Sequence, residues 1–406
     1  MLHLSHPSAV IHGEINISGS KSESNRGLIL QKLFPQIRLE NLSNADDTLL
    51  LKKALDSDSG EIDIHHAGTA MRFLTAYFAL CQGKKIILKG SERMHQRPVY
   101  PLVEALREQG AKIDYLENEK FPPLQIQGQR LSPSNFSIPG NISSQYITAL
   151  MLVASRFAKP CEISFTTELT SRPYLEMTAA LLEKIGVRVN FEPNGITIYP
   201  THVLPINLKI ESDWSSASYW FSMVALAEKA EVKLLHYFPN SRQGDAATGK
   251  IYQLYFGVEM EASENFISLK KIPHFQPPKN FELDLNATPD IAQTIAVTAA
   301  AMKIKTKLTG LRTLKIKETD RLAALQSELQ KFGVETKITE DSFEILSFSQ
   351  GLKNPVIETY NDHRMAMCFA PWALREKISI ADPMVVTKSY PNFYEDLEKV
   401  GFIINL

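Results

Sequence analysis

The sequence is poor in the residues that would announce disulfide or metal chemistry. Three cysteines stand among 406 residues, at Cys81, Cys161 and Cys368, and no two share a CxxC spacing. This argues against a disulfide framework and a cysteine-rich metal site. No HExxH helix or EF-hand loop occurs. His65 and His66 are adjacent, which sends them to different faces of any helix or strand, so they are not expected to share a metal. Gly19-Ser20-Lys21 is not a P-loop, because Glu14 stands where the first glycine is required. No apolar run reaches the roughly 18 residues of a spanning helix, and MLHLSHPSAV lacks the basic start and apolar run of a secretory signal. An excess of one charge is missing too: 44 basic side chains face 45 acidic ones, for a net charge of -1. That balance removes any chain-wide case for nucleic acid or an anionic membrane. A soluble, cytoplasmic, metal-free protein is expected, with any charge preference local.

What is present is a large apolar complement. At 44% hydrophobic content the chain can bury a sizeable core, and its length exceeds what single cores usually reach, so two domains are expected. A helix-like stretch that ends in glycine and passes at once into a short strand recurs around Gly60, Gly110, Gly186, Gly257, Gly333 and Gly401. Glycine past a helix end is the usual left-handed cap, and alternation such as Val187, Val189 and Phe191 reads as a strand. The spacings of 50 to 76 residues are too long for a solenoid and suit small α/β subdomains, six in all. Such junctions also arise by chance in any α/β protein. The Pro-bearing stretches 131–139 and 271–280 read as loops.

Six polar clusters each precede a long apolar helical run: GSKSESNR (19–26), AGTAMR (67–72), SSQY (143–146), ATPD (287–290), KETDR (317–321) and NDHR (361–364). Ser, Thr, Asn and Asp there are what helix capping alone would produce. Lys21, Lys317, Arg321 and Arg364 are different, because cations at a helix N-terminus oppose the helix dipole and call for an anion. Helix N-termini that converge would make an anion site. Small polyanionic substrates are therefore expected.

Together with Arg97-Pro98, SRPY (171–174), Pro289-Asp290 and the late Lys388, these motifs resemble the 5-enolpyruvylshikimate-3-phosphate (EPSP) synthase family over nearly the whole chain. The resemblance implies an α/β (mixed α+β), inside-out fold of two domains, each of three βαβαββ units, with helices inside and sheets outside. One domain would span 20–211. The other would combine 1–19 with 212–406, with the active site in the cleft between them and the two crossovers acting as hinges. It implies that phosphoenolpyruvate and shikimate 3-phosphate are the substrates and that no cofactor or metal is needed. A monomer is expected, without nucleic-acid or membrane partners.

Carried over residue by residue, Lys21, Ser22, Arg26, Ser143, Ser144, Gln145, Ser171, Asp290 and Lys317 would contact shikimate 3-phosphate, with Tyr174 nearby. Lys21, Gly68, Arg97, Gln145, Arg321, Arg364 and Lys388 would hold phosphoenolpyruvate. Asp290 would act as the base and Glu318 as the proton donor, with Lys21 assisting. Three positions depart from the family pattern: His66 replaces Asn, Phe73 replaces Pro, and Thr313 stands where some members have Asn. The related enolpyruvyl transferase acting on UDP-N-acetylglucosamine commonly carries a reactive loop cysteine, whereas the three cysteines here lie in apolar stretches. Two further readings compete with catalysis of this kind: a noncatalytic anion binder that kept the fold, and an RNA-end-processing enzyme on a similar repeated fold.

Overall fold

The structure, a computed structural model, describes residues 1–131, 135–170 and 172–405. The chain divides into two compact units, Gly19–Ile210 and Met1–Ser18 with Glu211–Leu406. Each has its own apolar core.

Each unit carries three small sheets. In Gly19–Ile210, Gly60–Asp63 and Lys85–Lys89 pair in parallel, and Leu124–Gln127 and Lys112–Tyr115 follow as an antiparallel hairpin. Asn135–Ile138, Cys161–Phe165, Gly195–Tyr199 and Arg188–Glu192 repeat that order. The third sheet is only the parallel pair Ile37–Glu40 and Ile206–Lys209. The second unit repeats the four-stranded order three times. Its parallel pairs are Val10–Ile15 with Lys229–Leu235, Asn280–Asp284 with Lys305–Thr309, and Val356–Ile357 with Ile378–Ile380. Parallel neighbours need a crossover, whereas antiparallel neighbours can be joined by a turn, as Arg188–Glu192 and Gly195–Tyr199 are.

The most apolar helices lie inside. Gly68–Leu80 packs on Ser144–Ala154, and Trp214–Leu226 on Ala292–Ala301. A helix that is apolar all round belongs in a core, and these are buried almost without a break. Apart from Leu80 and Ala301 at their ends, their unburied residues are Thr69, Gln145 and Ser215, all in first turns. Strands such as Lys229–Leu235 alternate buried and exposed residues, which places the sheets outside. The interior helices thus present little but their N-terminal turns.

All six repeat glycines have positive φ, from 68° to 97°. Five stand just past a helix end, as a left-handed cap requires. Gly60 does not: its helix, Asp46–Leu55, ends earlier, and Gly60 opens the strand. The run 365–374 is one α-helix only as His363–Phe369. It tightens to 3₁₀ over Ala370–Leu374, where Pro371 has no N–H to donate. Asn135–Ile138, read as loop, is a strand whose Phe136 and Ile138 are buried.

Candidate active site

In Gly19–Ile210, the Lys21–Leu33 helix is capped by Ser20, whose side chain accepts from the Glu23 amide. Lys21 Nζ lies 3.2 Å from Asp47 Oδ2, in the first turn of Asp46–Leu55. Ser22 gives its carbonyl to Arg26 Nη1 at 2.7 Å. Arg26 is 3% exposed and also bonds Thr178 Oγ1 (2.8 Å), Thr148 Oγ1 (3.4 Å) and the Tyr174 carbonyl (3.3 Å). Its guanidinium stands 5.7 Å from the ring of Phe73, so the phenyl that departs from the family pattern becomes a platform for a buried cation. Burial lowers the Arg26 pKa to about 10. In this arrangement Arg26 ties the Ser22 and Tyr174 backbones together.

A second group surrounds Gly68. A Cβ there would lie 2.7 and 2.9 Å from the two terminal nitrogens of Arg97 and 3.1 Å from Arg72 Nη1. Arg72 donates to the carbonyls of Gly68 (3.0 Å) and Pro98 (3.2 Å), and the Tyr146 hydroxyl donates to Pro98 as well. Arg72 and Tyr146 therefore fix the chain that carries Arg97. Gln145 Nε2 donates to Thr69 Oγ1 at 3.1 Å, and Ser143 caps the helix on the Gln145 amide. Ser144 is buried at the same end. Ser171 lies outside the described residues. Gly68→Ala should fold normally, because only the far ends of flexible side chains must move, yet it displaces Arg97. With Arg97 assigned to phosphoenolpyruvate by the resemblance, the expected result is a higher KM for that compound with the KM for shikimate 3-phosphate unchanged; steady-state kinetics would check it.

In the second unit, Arg321 is the hub. It is 2% exposed and its Nε bonds Asp362 Oδ2 at 2.7 Å, with Nη2 to Oδ1 at 3.4 Å. Nη1 reaches Asp290 Oδ1 at 3.1 Å, and Nη2 reaches Glu318 Oε2 at 2.9 Å. Arg364 Nη2 donates to Asp290 Oδ2 (3.1 Å) and Ser215 Oγ (3.2 Å), and Lys317 Nζ stands 3.5 Å from Asp290 Oδ1. Lys388 donates to the Asn361 carbonyl. Local capping explains the placement: Asp320 caps Arg321–Lys331 and Asp362 caps His363–Phe369. Thr313 Oγ1 is buried and finds no hydrogen-bond partner among the described residues.

Burial pushes the Asp290 carboxyl up, but Arg364, Lys317 and Arg321 outweigh it and hold the pKa well below the carboxylate range. Asp290 draws the Lys317 ammonium up, while burial, Arg321 and Arg364 leave it below its ordinary value. Asp245 behaves oppositely: burial, then the Asp290 charge, raise its pKa despite Arg364 and the hydroxyls of Ser215 and Thr288.

Within each unit the sequence-derived residues are grouped, yet the argument from unmatched cations changes. Lys21 has Asp47, Lys317 and Arg364 have Asp290, and Arg321 has three carboxylates. The helix dipole alone therefore does not demand an external anion. Asp47, Asp245 and Ser215 were missed by sequence reasoning, and Asp362, which lies in the NDHR cluster, was legible as a cap but not as the partner of Arg321. A cation at a helix start implies a counter-charge somewhere, but no spacing says which carboxylate supplies it. The thiols of Cys81, Cys161 and Cys368 are all raised by burial, Cys161 to about 12, which suits inert packing rather than a reactive thiolate.

The model of the EPSP synthase (3-phosphoshikimate 1-carboxyvinyltransferase) family matches residues 51–397. The chain belongs to that family. A 3-phosphoshikimate 1-carboxyvinyltransferase of Bacteroides fragilis is 42% identical, the match covering 99% of this chain and 98% of that protein. One from Vibrio campbellii is 36% identical over 96% and 97%. Solved structures share the fold. The EPSP synthase of Acinetobacter baumannii superposes with a TM-score of 0.79 at 22% identity, covering 100% of this chain and 99% of that one. The enolpyruvyl transferase NikO of Streptomyces tendae gives 0.75 at 14% identity, covering 100% and 98%. In this family member, no group of three or more His, Cys, Asp or Glu suited to a metal occurs among the described residues. No described helix is long and apolar enough to cross a membrane.

Proposed function

We propose that this chain transfers the enolpyruvyl group of phosphoenolpyruvate to the 5-hydroxyl of shikimate 3-phosphate and releases inorganic phosphate, as 3-phosphoshikimate 1-carboxyvinyltransferase. The hydroxyl oxygen adds to the enol carbon while the methylene carbon takes a proton, giving a tetrahedral adduct. Loss of a methyl proton together with phosphate restores the double bond. Such chemistry needs a proton acceptor near a hydroxyl, a proton donor near a methylene, and cations for two anionic substrates.

The observation that carries the proposal is the cluster in which Asp290 and Glu318 share Arg321, with Lys317 and Arg364 on the same Asp290. Asp290 takes the role of base and Glu318 that of donor. Arg321, Arg364 and Lys388 take phosphoenolpyruvate from the second unit, with Lys317 beside shikimate 3-phosphate. Lys21, Gly68, Arg97 and Gln145 serve phosphoenolpyruvate from the first unit, where Lys21, Ser22, Ser143, Ser144, Gln145, Ser171 and Tyr174 serve the shikimate. Arg26 supports this group through Ser22 and Tyr174. On this reading both units contribute to one reaction, in a cytoplasmic monomer that needs no cofactor or metal.

The test is a coupled assay for inorganic phosphate with both substrates, and with each omitted in turn. Release that requires both is expected. Release from phosphoenolpyruvate alone, or with UDP-N-acetylglucosamine in place of shikimate 3-phosphate, would overturn the reading.

A further inference from the structure

Seven residues beyond Arg321, two turns along the same helix face, stands a carboxylate that the chemistry above does not use. Glu328 is wholly buried. It accepts from the Tyr360 hydroxyl at 2.8 Å, the Glu358 amide at 3.1 Å and Lys331 Nζ at 2.7 Å. Lys331 also donates to the Val356 carbonyl at 2.8 Å. The Arg321–Lys331 helix therefore holds the strap 356–362 at both ends, with Lys331 on Val356 and Arg321 on Asp362, and Glu328 holds Glu358 and Tyr360 between them.

The strap has an unusual backbone. Tyr360 and Asn361 have φ of 53° and 55°, two consecutive left-handed residues, neither of them glycine. L residues stay in that region only where something holds them. Apolar packing is a weak candidate, because Tyr360 is 38% exposed. The hydroxyl is the better one: burial, then the Glu328 carboxylate, push it up to about 12, so it remains a donor at neutral pH. The carbonyl turned by this backbone, that of Asn361, is the one that receives the Lys388 ammonium.

We propose that Glu328 and Tyr360 are positioning residues: they set the Tyr360–Asn361 turn whose carbonyl aims Lys388 at phosphoenolpyruvate. The inference rests on the assignment of Lys388 made above. Glu328 touches no substrate and acts through the turn.

The test compares KM for each substrate in Tyr360→Phe, Glu328→Gln, Lys388→Met and their doubles, with melting temperatures recorded. Tyr360→Phe removes a part-buried hydroxyl whose carboxylate partner keeps the Glu358 amide and Lys331, so its melting temperature should fall only slightly. It should raise the KM for phosphoenolpyruvate about tenfold, as loss of one charge-assisted hydrogen bond would, and leave that for shikimate 3-phosphate within about twofold. Glu328→Gln should give the same selective rise, since the amide offers one acceptor oxygen for donors that sit on two, the Tyr360 hydroxyl on Oε1 and the Glu358 amide with Lys331 on Oε2. The double Glu328→Gln/Tyr360→Phe should be no worse than the stronger single, because both act through one turn. In a Lys388→Met background, Tyr360→Phe should have little further effect. A melting-temperature loss with native KM values, an equal rise for both substrates, or a full effect persisting without Lys388 would overturn the inference. A native KM in Lys388→Met alone would remove the assignment of Lys388 itself and the inference with it, an outcome distinct from the others.

Discussion

Asp290→Asn and Glu318→Gln are each expected to lower turnover by about 10²- to 10⁴-fold, the range typical of a lost general acid or base. Both changes keep shape, so the main loss should lie in kcat; Asp290→Asn should also melt lower, because it removes the carboxylate shared by Arg321, Arg364 and Lys317, and a melting transition still well above the assay temperature would keep the two effects apart. Asp290 presents a difficulty that its surroundings also resolve. A carboxylate held well below its usual range by Arg364, Lys317 and Arg321 is reliably ionised but a reluctant proton acceptor. Anionic substrates compete for those same cations. As their charge is taken up by phosphate and carboxylate, the depression of Asp290 must ease, and its basicity returns when a hydroxyl is there to be deprotonated. The free protein, reported by kcat/KM, should then show no acidic limb from Asp290 above about pH 4, the ordinary Asp range. The bound state, reported by kcat, should show one at higher pH, and Asp290→Asn should abolish it. Identical acidic limbs in both profiles, or full turnover in either variant, would remove these roles.

The fold was legible where periodicity and caps agree. Five of the repeat glycines stand two residues past a helix, because a left-handed cap leaves few other choices of residue. Gly60 misled because the same torsion can open a strand after a longer turn. Pro371 could have been read as the end of the α-helix begun at His363, had its missing donor been weighed against the apolar run. Individual helix starts were legible too, since Asp320, Asp362, Ser20 and Ser143 are ordinary caps. Charge pairing was not. Arg321 reaches a carboxylate 41 residues away and Lys21 one in a different helix, and such partners are chosen by tertiary packing, which leaves no periodic mark. Asp245 was invisible for the same reason: it lies in a short 3₁₀ turn and its carboxylate is held by Ser215 and Thr288, far away in sequence.

Arg321→Met is expected to be the most damaging single change for stability, at roughly 3–5 kcal/mol, the usual cost of removing one partner from a buried ion pair. The side chain is 2% exposed and its main partner, Asp362, is wholly buried, so water cannot replace the lost cation. Asp362 also caps the helix that begins at His363, and Glu318 and Asp290 lose a neighbour at the same time. The native Asp290 contribution has the sign of a depressed acid: its folded pKa lies below the unfolded one, so the stability it adds is present above about pH 4 and is lost as pH falls further. In Arg321→Met the balance reverses. Carboxylates stripped of their cation can relieve the loss by taking up protons, which acid favours, so the gap between variant and native protein should narrow as pH is lowered from 7 toward 5. Chemical denaturation at several pH values would measure it. A gap that does not change with pH would assign the damage to lost packing of the side chain's stem, and a native midpoint at pH 7 would show that the three carboxylates do not depend on Arg321 at all.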